Sequence, residues 1–286
     1  MNILVVGYGV MGKNHARVLE EMGHAVKTLD PSTTSGAQHH MLTQDLVDWP
    51  HAVCVATPIE DLNRIAALWI ERGKDVLVEK PGSFTVDQLE AAQHCAAIND
   101  CRLLVGYTER FNPAVQALAN HLHRVGTVRH IHIRRLGYAS DRGGDPIFDL
   151  ATHDLDVLDA LGFNLRLEHV VRGDHHVAAL LAAQHISPLV IPGTPSISLE
   201  ASHLHSNKVR ALEVVGDEGA LQLDYQRQTL GLLAPGIIRI ALPVDQGEPL
   251  LREWEAFFAG DGSSGTAALS IAEEMAVTGA RSMVAV

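Results

Sequence analysis

The chain opens with a short apolar run, Asn2–Val6, which passes through closely spaced glycines into a helical pattern. Val18, Leu19 and Met22 fall on one helical face, and Gly23 ends the element. Apolar runs recur at His24–Leu29, Ala52–Ala56, Asp75–Val78 and Arg102–Gly106, each of a length suited to a buried strand. Helical segments at Gln44–Trp49, Glu60–Arg72 and Thr85–Ile98 separate them, the last opened by a capping box of Thr85 with Gln88. This alternation predicts a doubly wound parallel sheet. The pattern then changes. Asn112 caps a helix with Pro113 at its first position, running to about Arg124. Thr127–Gly137 alternates β-branched and basic residues. Tyr138–Pro146 is a glycine-rich, charged loop, and Ile147–Leu161 is a helix ended by Gly162. From Arg166 to Leu242 strand follows strand, with turns at Gly193–Pro195, Gly216–Gly219 and Pro235–Gly236. Helices at Glu248–Ala259 and Thr266–Met283 close the chain. The pattern predicts an α/β Rossmann domain, residues 1–111, followed by an α+β domain, residues 112–286. The second has a largely antiparallel open sheet, and the last helix is free to pack back on the first domain.

Size and composition narrow this only slightly. With 286 residues, 47% of them hydrophobic, the chain can bury the cores of two ordinary domains. A formal net charge of -12 argues against a nucleic-acid partner, while leaving room for a local basic pocket that takes a phosphorylated small molecule. Cys54, Cys95 and Cys101 are an odd set with no CxxC, which reads as reduced thiols in a cytoplasmic protein. The apolar start has no basic leader and is broken early by glycine, so it does not read as a signal peptide. No apolar run is long enough to span a bilayer, so no membrane partner is expected. The 17 histidines include alternating pairs, His121/His123, His130/His132 and His203/His205, that would share a strand face. No third ligand stands at a recognisable spacing, so no metal is expected.

Candidate chemistry gathers where the first-half strands end. Gly7, Gly9 and Gly12 have the G-x-G-x-x-G spacing between a strand and a helix, with Val10 and Met11 at the helix start. Such a loop suits a dinucleotide pyrophosphate: it turns tightly, lets backbone approach the phosphates, and presents unpaired N–H groups at a helix N-terminus. Asp30 follows Gly12 by 30 − 12 = 18 positions, near the distance at which an acid meets the adenosine ribose. No Arg lies within Pro31–Gln38 to hold a 2′-phosphate, which favours NAD. Thr57, Pro58, Glu79 and Tyr107 also stand at strand ends. So does Lys80, between Glu79 and Pro81, where an ammonium can stabilise an alkoxide that develops as hydride leaves; an ordinary surface Lys is the alternative. Asp149 and His153, four apart on a predicted helix, would share one face, the imidazole as base and the carboxylate as its partner. Asp154 and Asp156 are alternatives to Asp149. Arg134, Arg135 and Arg142 could bind phosphate or carboxylate, but Arg134 and Arg135 must point to opposite sides of a strand.

On these motifs the chain resembles the oxidoreductase family named after glucose–fructose oxidoreductase, inositol dehydrogenase and a rhizopine-catabolism protein. GYGVMGKNH at Gly7–His15 resembles its cofactor loop, EKP at Glu79–Pro81 its catalytic-lysine motif, and DLATHDLD at Asp149–Asp156 its second motif. The resemblance implies catalysis by Lys80 and His153 with Asp149. It also implies NAD held by Gly7–Gly12, Asp30, Thr57, Pro58, Glu79 and Lys80. A narrower resemblance, to UDP-N-acetylglucosamine 3-dehydrogenases, rests on three further stretches. These are GYTERFNPAV at Gly106–Val115, the basic run at Arg134–Gly137, and Lys208–Leu230, with EPLLREWEAFF at Glu248–Phe258 similar to a late helix. It implies oxidation of a sugar-nucleotide C3 hydroxyl and a homodimer or homotetramer. Tyr107, Asn112, Arg135, Asp149 and His153 are then the candidate substrate contacts. Tyr107 stands where that resemblance implies a His.

Overall fold

The structure, a computed structural model, describes residues 1–138, 144–185, 194–236 and 239–284, with side chains to Gly279. Arg142 and Gly193 lie outside the described residues. The chain runs β1 (Asn2–Val6), α1 (Val10–Glu21), β2 (Ala25–Leu29), α2 (Gln44–Asp48), β3 (Ala52–Val55), α3 (Ile59–Ile70), β4 (Asp75–Glu79), α4 (Val86–Ile98) and β5 (Leu103–Gly106). After α5 (Pro113–His121) and β6 (Val128–Tyr138) come a π-helical turn at Ile147–Ala151 and α6 (Thr152–Ala160). Then follow β7 (Phe163–Gly173), β8 (His176–His185), β9 (Ser196–Ser202), β10 (Leu204–Gly216), β11 (Gly219–Asp224), β12 (Thr229–Leu233) and β13 (Ile240–Leu242). Helices α7 (Pro249–Ala259) and α8 (Thr266–Val284) come last. No helix among the described residues is long and apolar enough to cross a membrane.

Two compact units result: Met1–Tyr107 with Leu250–Thr266, and Thr108–Pro249 with Ala267–Val286. The first holds a parallel sheet in the order β2-β1-β3-β4-β5. Its strands are near-continuous apolar runs because helices cover both faces of such a sheet. Ile3 and Val5 of β1, Val18 and Leu19 of α1, Cys54 of β3 and Leu77 of β4 form one core with Leu250, Trp254 and Phe257 of α7. The helix that returns to this unit is thus the penultimate one. Residues 250–266, expected with the second half, belong with the first, because α7 carries a bulky apolar stripe that completes this core. Arg102 fastens the join, with Nε and Nη2 on Asp75 and Nη1 on the Phe257 carbonyl at 2.8 Å. The capping box at α4 is half formed. Thr85 Oγ1 accepts from Gln88 N, but the Gln88 amide oxygen is taken by the Ser83 hydroxyl at 2.8 Å.

The second unit holds a sheet in the order β13-β12-β11-β10-β6-β9-β8-β7, antiparallel except for the parallel pair β6–β9. Asn112 caps α5, its Oδ1 accepting from Ala114 N at 3.0 Å, and a 3₁₀ turn at Leu122–Val125 carries the chain past the end of that helix. Where a single helix was expected from Ile147, a π-helical turn precedes α6. Such turns insert an extra residue into a helix, so Asp149 does not keep α-helical register with His153.

Phe257 is fully buried. Phe257→Ala should therefore cost about 3–5 kcal/mol and lower the urea midpoint of the first unit, followed by tryptophan fluorescence. An unchanged midpoint would mean that α7 does not complete that core.

Candidate functional site

The glycine loop is shaped by contacts between backbones. Gly7 has φ of +89°, and a Cβ there would lie 2.4 Å from the Ala56 carbonyl oxygen. At Gly12 a Cβ would lie 1.9 Å from the Gly7 oxygen, so only glycine lets α1 close onto the turn. Gly9 differs: a Cβ there would meet no atom within 4 Å. The space beside Gly9 is therefore open for a ligand to approach the backbone, next to the α1 N-terminus. There Val10, Met11 and Gly12 carry N–H groups that no preceding turn can satisfy. Val10 is itself exposed. Asp30 reaches this loop from the end of β2. Its Oδ2 accepts from Tyr8 N at 2.7 Å and its Oδ1 from Ser32 N at 2.8 Å. Each carboxylate oxygen retains a second lone-pair site for a hydroxyl donor. Thr57, directly after Ala56, has a buried Oγ1 with no hydrogen-bond partner among the described residues. Pro58 beside it is exposed and precedes α3. An open glycine, free helix-end donors, an anchored acid and an unsatisfied hydroxyl together fit a dinucleotide.

Because the sheet is parallel, these features form a row. In spatial order the strand ends carry Asp30, the glycine loop, Thr57, Lys80 and Tyr107. Neighbouring strands lie about 4.8 Å apart, so Lys80 is two strands from the glycine loop. Glu79, expected to touch the cofactor, is instead largely buried and held within the protein. Its Oε1 is 2.8 Å from His15 Nε2, and its Oε2 accepts from Lys80 N at 3.2 Å. His15 Nδ1 in turn accepts from the indole N–H of Trp254 at 3.0 Å. Burial, then the charges of Glu79 and Glu253, push the Cys54 thiol well above its usual range, which leaves it an inert core residue. Tyr107 is fully buried, which withdraws it as a substrate contact in this conformation.

The second unit brings together Asp149 and a residue that sequence reasoning missed. His203 Nε2 lies 3.4 Å from Asp149 Oδ2. His203 is buried and Asp149 is about half exposed. His203 had surfaced only as half of an alternating pair. Asp154 and Asp156, once alternatives to Asp149, are committed elsewhere. Arg135 grips Asp154 through Nε at 2.5 Å and Nη2 at 3.0 Å, and Glu109 through Nη1 at 3.2 Å. Its guanidinium also lies over the Tyr225 ring, 5.0 Å from the centroid. Burial opposes the charge on Arg135, but Asp154 and Glu109 outweigh it and raise its pKa. Burial and then Asp154 push the Tyr225 phenol up as well. Arg110 holds Asp156 through Nε and Nη2 and also reaches Asp159 at 2.7 Å. Asn112 spends its amide donors on Glu109 and the Tyr225 carbonyl. Arg135 and Asn112 are therefore not available for a sugar or a diphosphate. Arg135 instead anchors α6, the helix that carries His153, through Asp154, and Asn112 caps α5. Arg134 does face the other side of β6, pairing with Glu200 at 3.3 Å. No group of three or more His, Cys, Asp or Glu among the described residues could hold a metal ion.

Residues 1–107 match the Gfo/Idh/MocA oxidoreductase family, described as having an NAD-binding Rossmann fold. The match covers the stretch Met1–Tyr107 of the first unit, the part that carries the parallel sheet and the glycine loop. A UDP-N-acetylglucosamine 3-dehydrogenase of Acidithiobacillus ferrooxidans is 25% identical over 163 residues, 54% of this chain and 51% of that one. An NADP-dependent scyllo-inositol 2-dehydrogenase of Bacillus subtilis is 28% identical over 126 residues, 44% of this chain and 38% of that one. The matched stretches thus span about half or less of these relatives. A solved structure of the Acidithiobacillus ferrooxidans enzyme superposes with a TM-score of 0.83 at 21% identity, covering 97% of each chain. That likeness extends the shared fold to the second unit.

Gly9→Ala should keep the melting temperature and weaken NADH binding at least about tenfold, read by fluorescence titration; Gly12→Ala should lower both. Equal behaviour of the two would refute the separate roles drawn from their surroundings. Arg135→Met leaves Asp154 buried without its charged partner and should cost about 3–5 kcal/mol in denaturant unfolding. Wild-type stability with impaired turnover would return Arg135 to the substrate.

Proposed function

We propose that the protein is an NAD-dependent dehydrogenase that oxidises the C3 hydroxyl of a UDP-N-acetyl-hexosamine to the 3-keto sugar. The row of strand ends carries this reading: an NAD-binding loop and Lys80 share one edge of one sheet, in a domain of an oxidoreductase family. Bound NAD supplies the hydride acceptor. His153 takes the hydroxyl proton as general base. Lys80 hydrogen-bonds the same oxygen and stabilises the negative charge that grows on it. These two roles can be exchanged without altering the overall reaction. Asp149 orients His153 or holds a sugar hydroxyl, with His203 Nε2 lying 3.4 Å from its carboxylate. The choice of a nucleotide sugar rests on the 25% identical relative and on the motifs at Gly106–Val115 and Lys208–Leu230. A cytoplasmic homodimer or homotetramer completes the proposal.

A second reading, a dehydrogenase of an inositol or another polyol, draws on the inositol dehydrogenase similarity. A panel of UDP-sugars, inositols and free polyols with NAD, followed at the absorbance of reduced cofactor, separates the two. Reduction only with a polyol would overturn the sugar-nucleotide assignment.

Lys80→Met and His153→Ala should each lower turnover by about two orders of magnitude or more, with NADH binding retained. Near-normal turnover in either variant would remove that residue from the chemistry.

A further inference from the structure

The contacts around Glu79 form a chain that ends at Lys80. Trp254 of α7, His15 of α1 and Glu79 of β4 are all buried, His15 and Trp254 fully so. The indole N–H can only donate. His15 Nδ1, 3.0 Å away, must therefore accept, and the imidazole proton sits on Nε2, where it is donated to Glu79 Oε1 at 2.8 Å. The two rings meet edge to face, 5.7 Å between centroids and 89° between planes, so the imidazole has little freedom to turn. Glu79 is held at Oε1 by His15 and at Oε2 by the Lys80 backbone N–H, 3.2 Å away.

We infer that His15 and Trp254 are positioning residues for Lys80. They set one tautomer, the tautomer aims one donor at Glu79, and Glu79 holds the backbone from which the Lys80 side chain springs. None of the three need touch a ligand. The arrangement places a tryptophan on a helix near the C-terminal end in control of the residue to which the proposed reaction assigns charge stabilisation. The functional part of the inference rests on that assignment; the structural coupling does not.

The coupling is read without turnover. Reductive methylation by formaldehyde and a borane, followed by peptide mass spectrometry, gives the reactivity of Lys80 relative to Lys13, Lys27, Lys74 and Lys208 in the same chain. Trp254→Phe keeps an aromatic ring and loses the donor. His15→Leu loses both polar contacts, whereas His15→Gln keeps one donor and one acceptor. The relative rate at Lys80 should change about fivefold, the worth of one net hydrogen bond, in Trp254→Phe and His15→Leu. His15→Gln should restore most of it. An unchanged rate in Trp254→Phe, or His15→Gln no better than His15→Leu, overturns the inference. If His15→Leu fails to fold, Trp254→Phe and His15→Gln decide.

Turnover with UDP-N-acetylglucosamine, or with whichever panel compound reduces NAD, supplies the second readout. His15→Leu should lower kcat toward the roughly hundredfold loss that follows from a misplaced group, with the KM for NAD little changed. Lys80→Met at wild-type turnover would sink the catalytic role of Lys80 and leave the methylation result to judge the coupling. Lys80→Met inactive and His15→Leu at wild-type kcat would overturn the positioning role alone.

Discussion

The first unit depends on how closely α1 approaches the turn that follows β1. At Gly12 the separation leaves no room for a single carbon beyond the backbone, because the Gly7 oxygen is already there. This is a steric constraint rather than an attraction, and it has a directional result. The helix N-terminus is brought up to the end of the sheet with its unsatisfied donors facing outward. Gly7 is held equally tightly against Ala56, so the loop is seated against the adjoining strand as well as its own. Asp30 then closes the other side through the Tyr8 N–H. The phosphate-binding geometry is formed before any ligand arrives, which reduces the ordering cost of binding.

The second unit uses a different device. A helix that must hold Asp149 and His153 in place is anchored by buried charges, Arg135 to Asp154 and Arg110 to Asp156. Such pairs add little net stability, since desolvation offsets much of their attraction. They are nevertheless demanding about geometry, because any slip strands a charge away from water. A hydrophobic seam would let α6 slide by part of a turn, whereas a bidentate guanidinium does not. The same acidic motif therefore divides its labour. In the proposed reaction Asp149 and His153 serve the chemistry, while Asp154 and Asp156 hold the platform.

What could be read from the sequence was what depends on neighbours along the chain. Three glycines between a strand and a helix, an acid at the end of the next strand, and Lys80 after β4 are all local patterns, and they fell into one row. The opposed directions of Arg134 and Arg135 followed from strand alternation alone. Which of the two was buried did not, because an arginine that pairs with Asp154 looks like one that faces water until the partner helix is known. The His15–Trp254 bond joins residues 239 positions apart, and no spacing rule reaches that far. The π-helical turn was hidden as well: one extra residue hardly disturbs the apolar pattern of Ile147–Leu161.

The return of α7 to the first unit has a consequence for synthesis. The ribosome completes the five strands of the parallel sheet by Gly106, but the core keeps an open seat until Leu250–Phe257 emerges. At typical elongation rates of about 5–20 residues per second, the intervening residues 108–249 impose a wait on the order of ten seconds. During that time the nascent sheet exposes the apolar surface that Trp254 and Phe257 later cover, and the imidazole of His15 lacks its indole donor. The cofactor-binding half, although first in the chain, is thus among the last parts of the molecule to be finished.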